Sequence, residues 1–115
     1  LVFGTLHTSG APNTINRIID VFPHEQQTQI QAQLAESLQM VVTQKLFKTI
    51  DGESRVGAFE IMVCNAPLKN LIREKKIHQI PSIMQTGQRD GMITMEKSIE
   101  NLVNSGKISP IDAKE

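Results

Sequence analysis

The hydrophobic pattern at the start of the chain predicts a strand followed by a helix. The segment Leu1–Leu6 is short, apolar and partly β-branched, as buried strands are. Turn-forming residues fill 8–13, and apolar side chains then recur at helical spacing, at Ile15, Ile18, Ile19 and Phe22. We expect Pro23 to end this helix, because proline has no N–H with which to continue it.

A second helix is predicted over 24–37. Its apolar positions also follow a helical spacing, with Ala35 beside Ile30, Leu34 and Leu38. The first turns of this helix are rich in glutamine. We expect these amides to face solvent: Gln26, Gln27, Gln29, Gln31 and Gln33.

The middle of the chain predicts an antiparallel hairpin. Two β-rich runs, 40–50 and 55–64, flank the glycine-containing turn Asp51–Ser54. Neighbouring side chains within 46–50 should point to opposite faces, because side chains alternate along a strand. One face would carry Leu46, Lys48 and Ile50, and the other Phe47 and Thr49.

The residues after the hairpin predict short helices. Asn65 can cap the first of them. Its apolar face would carry Leu68, Leu71 and Ile72, and its charged face Lys69, Arg73 and Lys76. The segment 77–87 should be interrupted at Pro81, and 88–91 should form a loop.

The end of the chain predicts two further helices. An amphipathic pattern is formed by Met92, Met95, Ile99, Leu102 and Val103. Gly106 lies just past its end, as helix-terminating glycines do. Ser109 and Pro110 should begin a last helix, with Asp112 near its positive end.

The order strand, helices, hairpin, helices indicates an α/β fold. It matches the back half of an α/β domain over 1–65, followed by a small helical region over 66–115. A buried strand rarely stands alone, so the neighbours of Leu1–Leu6 should lie upstream. We therefore expect the chain to begin inside a larger domain.

Composition and charge narrow the classes of function. The 115 residues include 12 basic and 12 acidic side chains, whereas nucleic-acid-binding domains usually carry a basic excess. No apolar run approaches the ~20 residues that span a membrane. We expect neither a nucleic-acid partner nor membrane insertion. Cys64 is the only cysteine, which excludes a disulfide framework and a cysteine-based zinc site, and we expect a small core residue there.

His7 is the main candidate for chemistry. It follows the predicted strand, and ligands of open α/β sheets bind beyond the carboxyl ends of strands. Hydroxyls of Thr5, Thr8 and Ser9 surround it. Its imidazole could donate a hydrogen bond to a phosphate oxygen, sense a phosphate or orient a water molecule. The alternative is a histidine that satisfies backbone groups in a tight turn.

The usual motifs for nucleotide binding are absent from these residues. The chain has no G-x-x-x-x-G-K-[ST] phosphate loop, and no acidic pair follows a strand as magnesium chemistry requires. His24 and His78 are isolated and are expected at the surface or at helix ends. We assign no metal site to the chain, which should not bind or hydrolyse a nucleotide well by itself.

Three segments carry a family resemblance. The segment 1–23, which opens "LVFGTLHTSG", resembles the histidine box and following helix of the secretion and pilus ATPase superfamily. The segment 70–87, which begins "NLIRE" and ends "MQTG", resembles a motif of the pilus retraction ATPases within it. The segment 91–109 resembles the C-terminal end of the same ATPases.

The resemblance implies the C-terminal part of a RecA-like P-loop motor ATPase that is inactive without the rest of the motor. Such motors are implied to be homo-hexamers in the bacterial cytoplasm, peripheral at the inner face of the inner membrane. There they would engage a pilus platform protein and drive type IV pilus retraction, hence twitching motility. ATP and Mg²⁺ are the implied cofactors, bound mainly by residues upstream of the histidine box.

The resemblance also implies roles for particular residues. His7 matches the histidine of the box and is implied to contact or sense the terminal phosphate. The retraction motif is matched by Asn70, Leu71, Ile72, Arg73 and Glu74. We expect its two apolar residues to pack inward and its last two charged residues to face a neighbouring subunit or partner. The alternative is an ordinary amphipathic helix with a solvated charged face.

The chain departs from the family pattern just before this motif. The family reads Ala-Ile-Arg where this chain has Pro67, Leu68 and Lys69, and lysine lacks the bidentate geometry of arginine. A related extension or secretion ATPase is disfavoured, since those relatives carry a four-cysteine zinc element where this chain has "TIDGES". A non-catalytic oligomerisation or partner-binding module that uses the 66–76 helix is the alternative of a different class.

Overall fold

A computed structural model describes residues 1–114 of the chain. Its helices are α1 (Ala11–Asp20), α2 (His24–Ser37), α3 (Ala66–Arg73), α4 (Ile80–Thr86) and α5 (Met95–Asn104). Its strands are β1 (Met40–Lys48) and β2 (Arg55–Val63). Short 3₁₀ turns cover Ile77–Gln79, Gln88–Asp90 and Asp112–Lys114. These elements confirm the predicted α/β class, with helices packed around an antiparallel hairpin.

The prediction of a strand over Leu1–Leu6 is wrong for this chain by itself. Residues 1–8 have no regular structure, and Leu1, Val2 and Phe3 are 99%, 90% and 88% exposed. A strand requires a neighbour to which its backbone can hydrogen-bond. Within the described residues the sheet contains only β1 and β2, which pair with each other, so the apolar run has no partner there.

The first two helices form where they are predicted, with differences at the ends of α1 and at one glutamine. Helix α1 begins at Ala11, inside the expected turn, and ends at Asp20, before Phe22 and Pro23, whereas α2 spans the predicted 24–37. The glutamine is Gln31, which we expected in solvent but which is only 3% exposed. Gln31 precedes Ala35 by four residues and therefore lies on the same buried face of α2.

The hairpin forms as predicted. Strands β1 and β2 pair antiparallel, with Met40 opposite Val63 and Lys48 opposite Arg55. Phe47 is buried while Leu46 and Ile50 are exposed, which confirms the expected alternation of faces. The outer face of this hairpin therefore carries apolar side chains in solvent.

The elements after the hairpin differ from prediction at three places. Pro81 does not interrupt its segment but lies in the first turn of α4, where a missing N–H costs nothing. Helix α5 begins after Thr94, whose hydroxyl caps it, so Met92 precedes the helix. Ser109 accepts from the N–H of Asp112 at 3.1 Å, as a cap should, but only a 3₁₀ turn follows.

The buried apolar side chains form two clusters. The main core draws on α1 to α4 and both strands, through Ala11, Ile15, Ile19, Ala35, Val41, Met62, Leu68, Leu71, Ile72, Ile77, Ile80, Met84 and Met92. A second cluster lies toward the turn end of the hairpin, where Phe47, Ala58 and Ile108 pack with partly buried residues of α5. Helix α3 therefore belongs to the main core, and α5 to the second cluster.

The end of α3 contains a residue in a strained conformation. Lys76 donates its N–H to the carbonyl of Leu71 at 2.9 Å, and Lys75 donates to that of Ile72 at 3.4 Å, which is the Schellman arrangement. Glycine is usual where Lys75 stands, because its φ of 62° costs other residues roughly 1–2 kcal/mol.

We expect Lys75→Gly to raise the free energy of unfolding by about 0.5–1 kcal/mol. The relieved strain exceeds the extra backbone entropy that glycine gives the unfolded chain. Urea unfolding measures the change. Lys76→Gly is the matched control, since Lys76 has a φ of −101° and glycine there relieves no strain; it brings the entropic loss and removes the exposed Glu74–Lys76 ion pair, which contributes little. A Lys75→Gly variant less stable than the parent would contradict this account.

Candidate functional site

His7 lies in an exposed position just before α1. It belongs to the irregular segment 1–8, and Gly10 is the N-cap residue of the helix that follows. Among the described residues its imidazole forms no hydrogen bond and no ion pair. The alternative, in which His7 hydrogen-bonds to backbone groups of a tight turn, is therefore not seen among the described residues. Both ring nitrogens remain available to hydrogen-bond with a group outside the chain.

Hydrogen bonds within the turn between His7 and α1 fix its conformation. The hydroxyl of Thr14 donates to the carbonyl of Gly10 at 2.9 Å, so it accepts from the hydroxyl of Thr8 at 2.6 Å. The side-chain amide of Asn13 donates to the carbonyl of Ser9 at 2.8 Å. Gly10 has a φ of 101°, which residues with a side chain rarely adopt. The residue next to His7 is thus fixed to the helix.

Sequence reasoning missed one contact to this turn, which comes from the hairpin. The Oε1 atom of Glu60, on β2, accepts a hydrogen bond from the N–H of Ala11 at 2.8 Å. Gly10 has no side chain to cap α1, and Glu60 supplies the acceptor instead. The one available signal was that Glu60 is the only acidic residue inside the otherwise apolar run 56–64.

The segment that resembles the retraction motif forms the C-terminal half of α3 and its cap. Leu71 is 8% exposed and Ile72 is fully buried, so both pack into the main core as expected. Asn70, Arg73 and Glu74 are exposed. Asn65 fixes the start of the helix, since its Oδ1 accepts from the N–H of Leu68 at 3.1 Å, as predicted.

Arg73 makes contacts within the chain that the sequence did not reveal. Its guanidinium donates to the carboxylate of Glu36 on α2, and also to Oδ1 of Asn70 at 3.0 Å. Its side chain nevertheless stays 42% exposed. Glu74 lies 3.5 Å from the ammonium of Lys76. Helix α2 thus holds Arg73 from one side, and the other side of the guanidinium faces solvent.

Gln31 adds a second contact between α2 and α3. Its amide nitrogen lies 3.5 Å from the carbonyl oxygen of Ile72, at the long limit for a hydrogen bond. Its Oε1 atom is buried without a hydrogen-bond partner among the described residues. Among these residues no hydrogen bond or ion pair links α3 to His7.

Residues 1–114 contain no group of three or more His, Cys, Asp or Glu side chains placed to hold a metal ion. Among the same residues no helix has the length and apolar character needed to cross a membrane.

Cys64 has the character of a core residue. It is partly buried and packs against the main core. Burial raises the pKa of its thiol to about 11, so the thiol stays protonated at neutral pH. Because the thiolate is the reactive form, this raised pKa makes Cys64 a poor nucleophile.

Comparison with known proteins identifies relatives across nearly the whole chain. The chain is 51% identical over 114 residues to a twitching motility protein of Neisseria gonorrhoeae, covering 99% of this chain and 30% of that protein. It is 48% identical over 115 residues to the type IV pilus retraction ATPase PilT of Pseudomonas aeruginosa, covering 100% of this chain and 33% of that protein. No protein-family model matches the chain.

A solved structure shares the fold. The crystal structure of the pilus retraction motor PilT with bound ADP superposes with a TM-score of 0.87 at 42% identity, over 98% of this chain and 31% of that one. The chain thus spans about a third of the length of the relatives that it matches. The chain is a homologue of the C-terminal portion of the type IV pilus retraction ATPases of the PilT type.

Proposed function

We propose that the protein containing this chain is a motor ATPase that hydrolyses ATP to drive type IV pilus retraction, and hence twitching motility. The observation that carries this proposal is the identity of 48% and 51% to a pilus retraction ATPase and a twitching motility protein over almost every residue of the chain. Likeness to an ADP-bound retraction motor supports the use of a nucleotide.

His7 is the proposed contact to the terminal phosphate of ATP. Its imidazole is exposed and free of partners within the described residues, and the turn that follows it is anchored to α1 and β2. A histidine so placed can donate a hydrogen bond to a phosphate oxygen and respond to its loss. ATP and Mg²⁺ would be held mainly by residues outside this chain.

Assembly and location form part of the same proposal. The motor is a cytoplasmic homo-hexamer at the inner face of the bacterial inner membrane, where it engages a pilus platform protein. Residues 1–65 belong to the RecA-like ATPase core, and 66–115 to a C-terminal helical region that carries the retraction motif. The main core packs residues from both ranges together, which would let movement in one reach the other.

The motif on α3 is proposed to serve retraction rather than hydrolysis. Its apolar residues Leu71 and Ile72 anchor the helix in the core. Arg73 and Glu74 remain at the surface, where a neighbouring subunit or the platform protein can contact them. Neither residue shares a hydrogen bond or ion pair with His7 within residues 1–114.

The test is to replace Arg73 or Glu74 by alanine in the full-length protein. We expect ATP turnover to stay within about twofold of the parent, because surface substitutions usually shift free energies by no more than ~0.5 kcal/mol. Twitching and pilus retraction should be strongly impaired in cells that carry either variant.

Glu36→Ala is the matched control for Arg73→Ala. It removes the same ion pair but leaves the motif intact. Retraction should survive in Glu36→Ala if Arg73 acts on a partner, because an exposed pair contributes little to stability. Equal loss of retraction in both variants would refute an outward role for Arg73. Loss of hydrolysis in Arg73→Ala would refute the division of roles.

A further inference from the structure

Glu60 stands out as an acidic residue whose main contact is neither local nor an ion pair. It lies within β2, opposite Thr43 of β1, and its side chain is partly buried. Its Oε1 atom accepts the N–H of Ala11 at 2.8 Å, although the two residues are 49 positions apart in the chain. No cation forms an ion pair with Glu60 among the described residues.

The N-terminus of α1 needs this acceptor. The first N–H groups of a helix have no partner within the helix, and Gly10 at the N-cap offers no side-chain oxygen. A carboxylate is favoured there because the helix dipole places positive partial charge at its N-terminus. Glu60 thus caps α1 from a different element of the fold.

The other polar contacts of the turn cannot fix its place in the molecule. The Thr8–Thr14, Thr14–Gly10 and Asn13–Ser9 hydrogen bonds all join the turn to α1, so they move with the helix. Among residues 1–114, the Glu60 hydrogen bond is the polar contact that ties the turn to another element. It sets the start of α1 against β2, four residues after His7.

We propose that Glu60 is a positioning residue for His7. Its carboxylate holds the first turn of α1 against β2 and so sets where the His7 imidazole stands relative to the phosphate. This inference rests on the proposed function. It predicts that the length of the side chain and its acceptor oxygen matter, and that its charge matters less.

The experiment measures kcat and KM for ATP in full-length variants. We expect Glu60→Gln to keep kcat within about threefold, because the amide oxygen can accept the same N–H. Glu60→Met, which keeps the length but has no acceptor, should lower kcat about ten- to a hundredfold with little change in KM. In Glu60→Asp the carboxylate is one methylene too short to reach the N–H of Ala11, so kcat should fall as in Glu60→Met. This variant replaces Glu60→Met in the experiment if Glu60→Met fails to fold.

A matched control separates positioning from simple loss of stability. Thr94→Ala removes a side-chain acceptor of the same kind, since the Thr94 hydroxyl caps α5 by accepting from the N–H of Lys97 at 3.2 Å. Its kcat should equal that of the parent. Hydrogen exchange at the Ala11 amide should be faster in Glu60→Met and unchanged in Thr94→Ala.

The outcomes distinguish this inference from the function on which it rests. Parent-like kcat in both Glu60→Met and Glu60→Asp would overturn it, as would equal losses in Glu60→Gln and Glu60→Met. If Glu60→Met and Glu60→Asp keep parental turnover while His7→Ala loses it, the role of Glu60 is refuted and the role of His7 stands. If His7→Ala itself keeps full turnover, the proposed role of His7 fails first.

Discussion

Replacement of His7 by alanine in the full-length protein should lower kcat for ATP hydrolysis at least about a hundredfold. A positioned imidazole that donates to or accepts from a reacting group typically contributes about 10²–10⁴ in rate. The hydroxyls of Thr8 and Thr14 are already engaged in the turn and cannot substitute for the imidazole. Steady-state turnover at saturating ATP measures the effect.

His24→Ala provides the control for this change. His24 is also an exposed histidine, at the first residue of α2, and no role in hydrolysis is proposed for it. Its variant should retain parental turnover. A His7→Ala variant that loses less than about threefold, an effect below ~0.7 kcal/mol, would contradict the proposed contact with the phosphate.

Ile72→Ala should reduce the free energy of unfolding by about 2–5 kcal/mol. Ile72 is fully buried in the main core, and its truncation removes apolar contacts and leaves a cavity that its neighbours fill only in part. The Ile72 carbonyl accepts hydrogen bonds from Gln31 and Lys75. Distortion of these hydrogen bonds in the variant would lower the free energy of unfolding further. Urea unfolding of the chain measures the change.

The same substitution at Ile111 is the control. Ile111 is 78% exposed, so Ile111→Ala should change stability by no more than ~0.5 kcal/mol. If Ile72→Ala costs less than about 1 kcal/mol, then the packing of α3 described above is wrong. If the loss of stability is large, impaired retraction in Ile72→Ala would be explained by unfolding. Impaired retraction in Arg73→Ala would not be, because Arg73 is exposed.

Periodicity in the sequence predicted most of the fold. The bounds of α2, the hairpin and its turn, and the Asn65 cap all follow from local rules about spacing, alternation and capping. These rules act over a few residues, and the chain satisfies them without help from distant segments. The inward packing of Leu71 and Ile72 was predictable for the same reason.

The unpredicted contacts depend on distant partners, whereas the differences at Pro81, Met92 and Ser109 are local. Leu1–Leu6 has the composition of a strand, but composition cannot supply the neighbour that a strand needs. Gln31 is polar, and its burial depends on other elements that pack against α2, among them α3. Glu36 and Glu60 contact residues 37 and 49 positions away, and no local pattern marks such pairs. The sequence therefore predicted which residues form the candidate site, but not the contacts that these residues make.

The separation of the two apolar clusters has a consequence for local stability. Helix α3 buries three residues in the larger cluster, whereas α5 buries none completely and covers the smaller one. Regions with few buried apolar contacts open at a lower free-energy cost than the rest of a fold. The turn end of the hairpin can therefore open locally together with α5 while the other end, which packs against α3, stays closed.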